Sequence, residues 1–168
     1  DTDLEVEARW MHALEAASAQ AYWTDFDTSD PVYAGFGHSV IPLNFGYTWD
    51  DTGLTLYFHS GLKGKKIDAL RADPRVCFEM DTEQGVTGEG DLACRYSFAF
   101  SSIVGYGSME FAQTNEEKRK GFDIIMQHQT GKGGWTYHDA SLSVAEVFHV
   151  HADSFEASRK ALRPHKPE

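Results

Sequence analysis

Between His59 and Arg75 this chain gathers five of its 15 Lys and Arg residues: Lys63, Lys65, Lys66, Arg71 and Arg75. The protein as a whole is strongly acidic, with 26 Asp and Glu and a formal net charge of −11 over 168 residues. Gly61 and Gly64 lie among the lysines, Ser60 stands just before them, and a short helical pattern with Ile67 and Leu70 on one face follows. A phosphate wants this arrangement: backbone N–H groups at a helix start, a hydroxyl, and two ammonium groups for its charge. Inside a field that is negative overall, a local positive pocket selects a small dianion over a polyanion. The nucleotide P-loop is excluded, because GxxxxGK[ST] is missing.

A second constellation is His149-Val-His151, which puts two imidazoles on one face of a strand and Phe148 and Val150 on the other. That spacing can hold Zn²⁺ or supply an axial haem ligand. No further Cys or His cluster is near it in sequence, so the expectation is two solvent-facing histidines and no metal site. No GxSxG nucleophile motif and no paired-carboxylate signature occurs. Cys77 and Cys94 form no CxxC pair and both fall in apolar, strand-like stretches, so both are expected as small buried hydrophobes.

The elements that must position these groups follow from periodicity. Trp10, Met11, Leu14 and Ala17 share one helical face, and Thr2 with Glu5 has the form of a capping box, which predicts a helix over about 3–21. From Pro31 the period becomes β-like: Val32–Phe36, Ser39–Tyr47, Leu54–Phe58, Arg75–Met80, Tyr96–Phe111 and Val144–Ala152 read as strands. Asp50-Asp51-Thr52-Gly53 reads as a hairpin turn, and Thr82–Asp91, with three Gly and two Glu, as an exposed loop. Asp73-Pro74 must end the short basic helix. Thr114-Asn-Glu-Glu117 is a second capping box, opening a helix whose Phe122, Ile125, Met126 and Gln129 share a face and which stops at Gly131. Residues 153–168 read as a loosely held tail.

These elements predict a single domain, mainly β: an antiparallel split barrel of about six strands, Greek-key-like, at about 32–152, with accessory helices. Alternating βαβ units are absent, which disfavours a doubly wound sheet. The acidic balance argues against nucleic acid as a partner. No apolar run approaches the ~20 residues that span a bilayer, and no signal-peptide core is evident, so a cytoplasmic protein without membrane contact is expected.

Val40-Ile-Pro-Leu-Asn-Phe-Gly-Tyr47, Leu56-Tyr-Phe-His-Ser60, Gly64-Lys-Lys-Ile-Asp68 and Pro74-Arg-Val-Cys-Phe-Glu79 together resemble the FMN-binding split-barrel family. That family includes pyridoxamine 5′-phosphate oxidase and, closer here, the nitroimidazole-resistance (Nim-type) flavoproteins. The resemblance runs from about Val32 to His151 and implies a homodimer with FMN at each subunit interface. It implies a reductase of small organic acceptors, nitroaromatics among them, with NADH or NADPH as a transient donor, since no Rossmann fingerprint is present. A flavin-binding carrier or sensor without turnover, and a haem-binding split barrel using His149 and His151, are the alternative readings.

Carried over by position, the resemblance places Val40, Ile41, Pro42, Leu43 and Asn44 along the flavin pyrimidine and ribityl chain. Phe58, His59 and Ser60 come at the end of the next strand, near ribityl and phosphate. Lys65 and Lys66 form the phosphate-binding pair, and Ser102 is a polar flavin contact. His59 has two roles open to it: a hydrogen-bond donor to phosphate or ribityl, or a proton donor to substrate, which a pKa near ~6.5 would suit. Two departures stand out. Phe100-Ser101-Ser102 replaces the Tyr-Arg-Ser usual in Nim-type proteins, and the hairpin Phe36-Gly-His-Ser39 is shorter than usual.

Overall fold

The chain is described by a computed structural model over residues 22–24 and 41–161. The expected helix at 3–21, the runs at 32–40 with Val40 and the short hairpin, and residues 162–168 lie outside the described residues. Six strands form one antiparallel sheet: β1 (Tyr22–Thr24), β2 (Phe45–Asp50), β3 (Gly53–Gly61), β4 (Arg75–Thr87), β5 (Ser97–Phe111) and β6 (Ala145–Lys160). Their order is β1-β4-β5-β6-β3-β2, the antiparallel split barrel expected from the sequence. Helix α1 (Lys65–Ala72) links β3 to β4, and α2 (Asn115–Thr130) and α3 (Asp139–Ser143) lie between β5 and β6.

Period-two alternation builds the core. Along β5, Ala99, Ser101, Ile103, Gly105, Gly107 and Met109 are buried while the residues between them are not. Leu54, Leu56 and Phe58 of β3 and Phe148 and Val150 of β6 meet this face, with Phe58 and Phe148 stacked 5.9 Å apart. Ile67 and Leu70, both essentially fully buried, close one side from α1. Gly105 is a close-approach site, since a Cβ there would stand 2.3 Å from the Phe78 ring. The β5–β6 register shifts beside it, between Tyr106 and Gly107.

Local punctuation is where the sequence led. Asp50 and Gly53 bracket the tight turn, with Asp50 Oδ1 accepting from the Thr52 N–H at 2.8 Å. Helix α1 stops at Ala72, with Asp73 extended before Pro74. Helix α2 carries the full capping box of Thr114 and Glu117 and ends at Gly131 in the left-handed conformation.

Three expectations need correction. Residues 82–87 are not loop: β4 continues to Thr87, pairing Val86 with Phe98 and Thr87 with Ser97. Val86 and Phe98 are both exposed, so this outer part of the hairpin hides no face in the core and shows no alternation to read. The tail is also not loose before 161. Strand β6 runs to Lys160, with Phe155 and Ala157 packed against the core at every second position. Finally, Cys77 is buried as expected, but Cys94 is exposed in a 3₁₀ turn at Ala93–Arg95. Among the described residues no helix is long and apolar enough to cross a membrane.

Candidate functional site

Helix α1 begins without the protection that helix starts normally have. Its N-cap is Gly64, which has no side chain to accept the first N–H groups and stands at φ 129°, a backbone conformation that favours glycine. Gly64 O accepts the Ile67 and Asp68 N–H groups, at 2.9 and 3.1 Å. The earlier N–H groups, of Lys65 and Lys66, precede any intrahelical acceptor. Among the described residues, and apart from the adjoining ones in the chain, no heavy atom stands within 4 Å of where a Cβ of Gly61 or Gly64 would sit. The helix therefore opens onto a space bounded by glycine backbone.

The five basic residues divide here. Arg71 is turned to β6, its Nη2 2.8 Å from Glu146 Oε1 and its guanidinium 5.6 Å from the centre of the Phe111 ring. Arg75 grips Asp73 at 2.7 Å and holds that carboxyl below its ordinary pKa. Among the described residues Lys63, Lys65 and Lys66 make no ion pair. They supply the positive charge at the helix start, where the helix dipole prefers the opposite sign.

His59 and Ser60, adjacent at the end of β3, point to opposite faces of the strand. Ser60 lies opposite Glu146 in the β3–β6 ladder, so the Arg71–Glu146 pair places a neutralised carboxylate, not a bare one, beside the hydroxyl. His59 faces outward, 5.3 Å from the Phe122 ring of α2. Although its surface is open enough to class as exposed, burial of the ring pushes its pKa below the ordinary value, and the Lys66 charge pushes it the same way. Near neutral pH the imidazole is thus mainly uncharged. This suits a hydrogen-bond donor better than a ready acid.

The other predicted contacts fare differently. Ile41 and Pro42 are outside any ladder, Leu43 makes one isolated bridge, and continuous pairing starts only at Phe45. Over the described residues 41–44 the expected strand is therefore corrected to an irregular lead-in. Pro42 has no N–H to contribute, which delays the ladder. Leu43 is buried and Ile41 half-buried against the core, while Pro42 and Asn44 are exposed. Phe58 is 1% exposed, so its side chain belongs to the core and only its backbone can face a ligand.

Ser102 is half-buried on the outer face of β5, with Ser101 as the interior neighbour. It pairs with Ser158 of β6, whereas Ser60 pairs with Glu146. Twelve residues separate those two positions, ~40 Å of strand contour.

His149 and His151 do share the outer face of β6, and both have neighbours of their own. His151 Nδ1 is 3.0 Å from Thr55 Oγ1, while His149 stacks on Tyr57 and lies 3.7 Å from Glu110. Among the described residues no group of three or more His, Cys, Asp or Glu side chains could hold a metal ion.

Sequence reasoning missed Glu146, whose link to Arg71 spans 75 residues and leaves no local signal. Phe122 was visible as part of the inward face of α2, but its packing on His59 was not. Tyr137 stacks on Phe122 and donates to Asp123, while Trp135 is 41% exposed and donates to the Lys132 carbonyl. A cleft of about 600 Å³ opens elsewhere, between Tyr47 and Thr48 of β2, the second half of α2, and Gly133–Gly134. Neither lysine and neither His59 nor Ser60 lines it.

Comparison with known proteins bears on the fold and the family. The chain aligns over 94% of its length with a candidate 5-nitroimidazole antibiotic resistance protein from Bacteroides thetaiotaomicron, at 29% identity, 83% coverage of that chain and a TM-score of 0.67. The flavocytochrome Anf3 from Azotobacter vinelandii shares the fold at 16% identity (99% of this chain, 71% of that one, TM-score 0.68). A FAD-binding protein from Mesorhizobium loti does so at 20% identity (94% of each chain, TM-score 0.53). No curated protein matches the chain. The family model described as pyridoxamine 5′-phosphate oxidase matches residues 34–159, and the chain belongs to that family.

Proposed function

We propose that this protein is an FMN-dependent oxidoreductase that reduces small organic acceptors, nitroaromatics among them, as a cytoplasmic homodimer. The observation that carries the reading is the start of α1: an uncapped, glycine-bounded helix end with Lys65 and Lys66 in its first turn, in a protein of net charge −11. The residues fit a flavin phosphate. Backbone N–H groups of the first turn and two ammonium groups meet a dianion, and the open Gly61–Gly64 backbone leaves room for it.

In this reading Lys65, Lys66 and Ser60 bind the phosphate, and Arg71 keeps Glu146 from repelling it. His59 donates one ring N–H toward the ribityl–phosphate end. The segment at 40–44 borders the ring system through its backbone and the exposed Pro42 and Asn44. Ser102 serves a site only through a second copy of the chain, because its own α1 start is at the other end of β6. When bound, the flavin supplies the hydride and electron chemistry, and the protein supplies position and electrostatics. NADH or NADPH is the proposed donor, docking transiently.

The test is a visible absorption spectrum of the purified protein, repeated after anaerobic addition of NADH or NADPH. Two flavin bands that bleach support the reading, and the mass of the released flavin separates FMN from the FAD named for one neighbour. Flavin bands that no donor bleaches support a carrier. A Soret band would move the case to haem. A colourless protein that gains no bands with added FMN would defeat it.

A further inference from the structure

His59 does not stand alone at the end of β3. Its ring packs on Phe122, centroids 5.3 Å apart and planes tilted by 52°. Phe122 stacks in turn on Tyr137, at 5.6 Å and 26°. The Tyr137 hydroxyl donates to Asp123 Oδ1 at 2.9 Å. Asp123 follows Phe122 on α2, so the outer end of this three-ring ladder is fastened to the same helical turn that presents its middle ring.

Without such support a side chain two residues from the end of a strand, followed by Gly61, would sample several rotamers. Each would have to be lost on binding. The segment that carries Tyr137 includes Gly131, Gly133 and Gly134, so its course also needs an anchor outside its own backbone. The Tyr137–Asp123 bond provides one.

We propose that Phe122 and Tyr137 are positioning residues for His59, holding its imidazole in one orientation beside Lys66 so that a bound ligand meets a pre-set ring. The ligand's identity rests on the flavin reading above; the ladder itself does not.

The charged groups on the elements around the imidazole are few. Helix α1 contributes Lys66, whose charge acts on the ring. Helix α2 contributes Asp123, engaged by Tyr137, and Lys118, one turn before Phe122, whose Nζ donates to the Leu142 and Ala145 carbonyls. Strand β6 places Val147 opposite His59, with Glu146 one step along and paired to Arg71. Burial depresses the imidazole pKa, and Phe122 is the aromatic neighbour on that face. The same packing, with the hydrogen bond to Asp123, raises the Tyr137 phenol to about 12.

The test is a pH titration of the His59 imidazole by ¹H–¹³C NMR in the full purified chain, assigned by its loss in His59→Gln. Phe122→Leu and Tyr137→Leu are expected to move the midpoint upward, toward the ordinary histidine value, as water reaches the ring. Tyr137→Phe, which keeps the stack and loses the anchor, should move it less, and Phe122→Tyr should restore it. Midpoints unchanged in Phe122→Leu and Tyr137→Leu, with the remaining spectrum intact, would overturn the proposal. Should Phe122→Leu fail to fold, the two Tyr137 variants decide alone. Failure of FMN to bind the wild-type chain would defeat the flavin reading and leave this titration standing.

Discussion

The two long connecting helices begin in opposite ways. Helix α2 starts closed: Thr114 Oγ1 accepts the Glu117 N–H at 3.1 Å, and the Glu117 carboxylate accepts from the N–H groups of Thr114 and Gln113 at 3.1 and 2.6 Å. Its first turn carries Glu116 and Glu117, the sign that the helix dipole prefers. Helix α1 starts open, on a glycine, with two lysines against the dipole and Asp68 only at its fourth position. A chain that caps one helix fully and leaves the other bare has not lacked the means. The negative charge and acceptors missing from α1 are what an incoming phosphate would bring.

The sharpest way to break this contrast is Lys65→Ala with Lys66→Ala. Charge-assisted contacts of ~1.5–3 kcal/mol each imply that FMN affinity falls ~100-fold or more, with the fold intact by circular dichroism. Next in size is Arg71→Met, which leaves the mostly covered Glu146 carboxylate beside Ser60 without its partner. A stability loss of about 1 kcal/mol in urea unfolding is expected, together with weaker FMN binding, and Glu146→Gln in the same chain should recover both. Recovery of neither would mean that the pair has nothing to do with the anion site.

The contrast also predicts what α2 should not do. Thr114→Ala should cost about 1 kcal/mol of stability through the lost cap while leaving FMN affinity unchanged. Smaller still is the effect of acid through His59. Its folded pKa is depressed, so the unfolded chain binds the proton first, and its contribution to stability is full above ~6.5 and declines as pH falls through the folded value. His59→Gln should flatten the stability–pH curve in that window. Finally, Lys65→Glu makes α1 resemble α2 and should gain a few tenths of a kcal/mol in the flavin-free protein, measured by thermal melting, while binding is lost.

What was legible in the sequence were features with local causes. Pro74, Gly131, the Thr114–Glu117 box and the Asp50–Gly53 turn each fix backbone geometry within a few residues, and each marks its element's end in the structure. The lysine pair was legible because it is a short-range cluster against an acidic background. Strand lengths were not. The outer β4–β5 hairpin packs no face into the core, and the far half of β6 buries only Phe155 and Ala157, too thin a signal against its polar neighbours. Facing was lost where sheet partners decide it: Ser102 turns outward while Ser101 turns in, and His59 and Ser60 part at the strand end. The Arg71–Glu146 link joins residues 75 positions apart, and the His59–Phe122–Tyr137 ladder joins residues 63 and then 15 positions apart; nothing along the chain announces them.

The central claim, that the bare start of α1 is the flavin phosphate site, is tested most directly by titrating FMN into flavin-free wild-type protein and into Lys65→Ala/Lys66→Ala. Quenching of flavin fluorescence reports binding in both. Saturable binding by the wild type and a dissociation constant raised ~100-fold or more in the variant is the predicted result. Equal dissociation constants would contradict it, and would place the phosphate somewhere other than this uncapped, basic helix start.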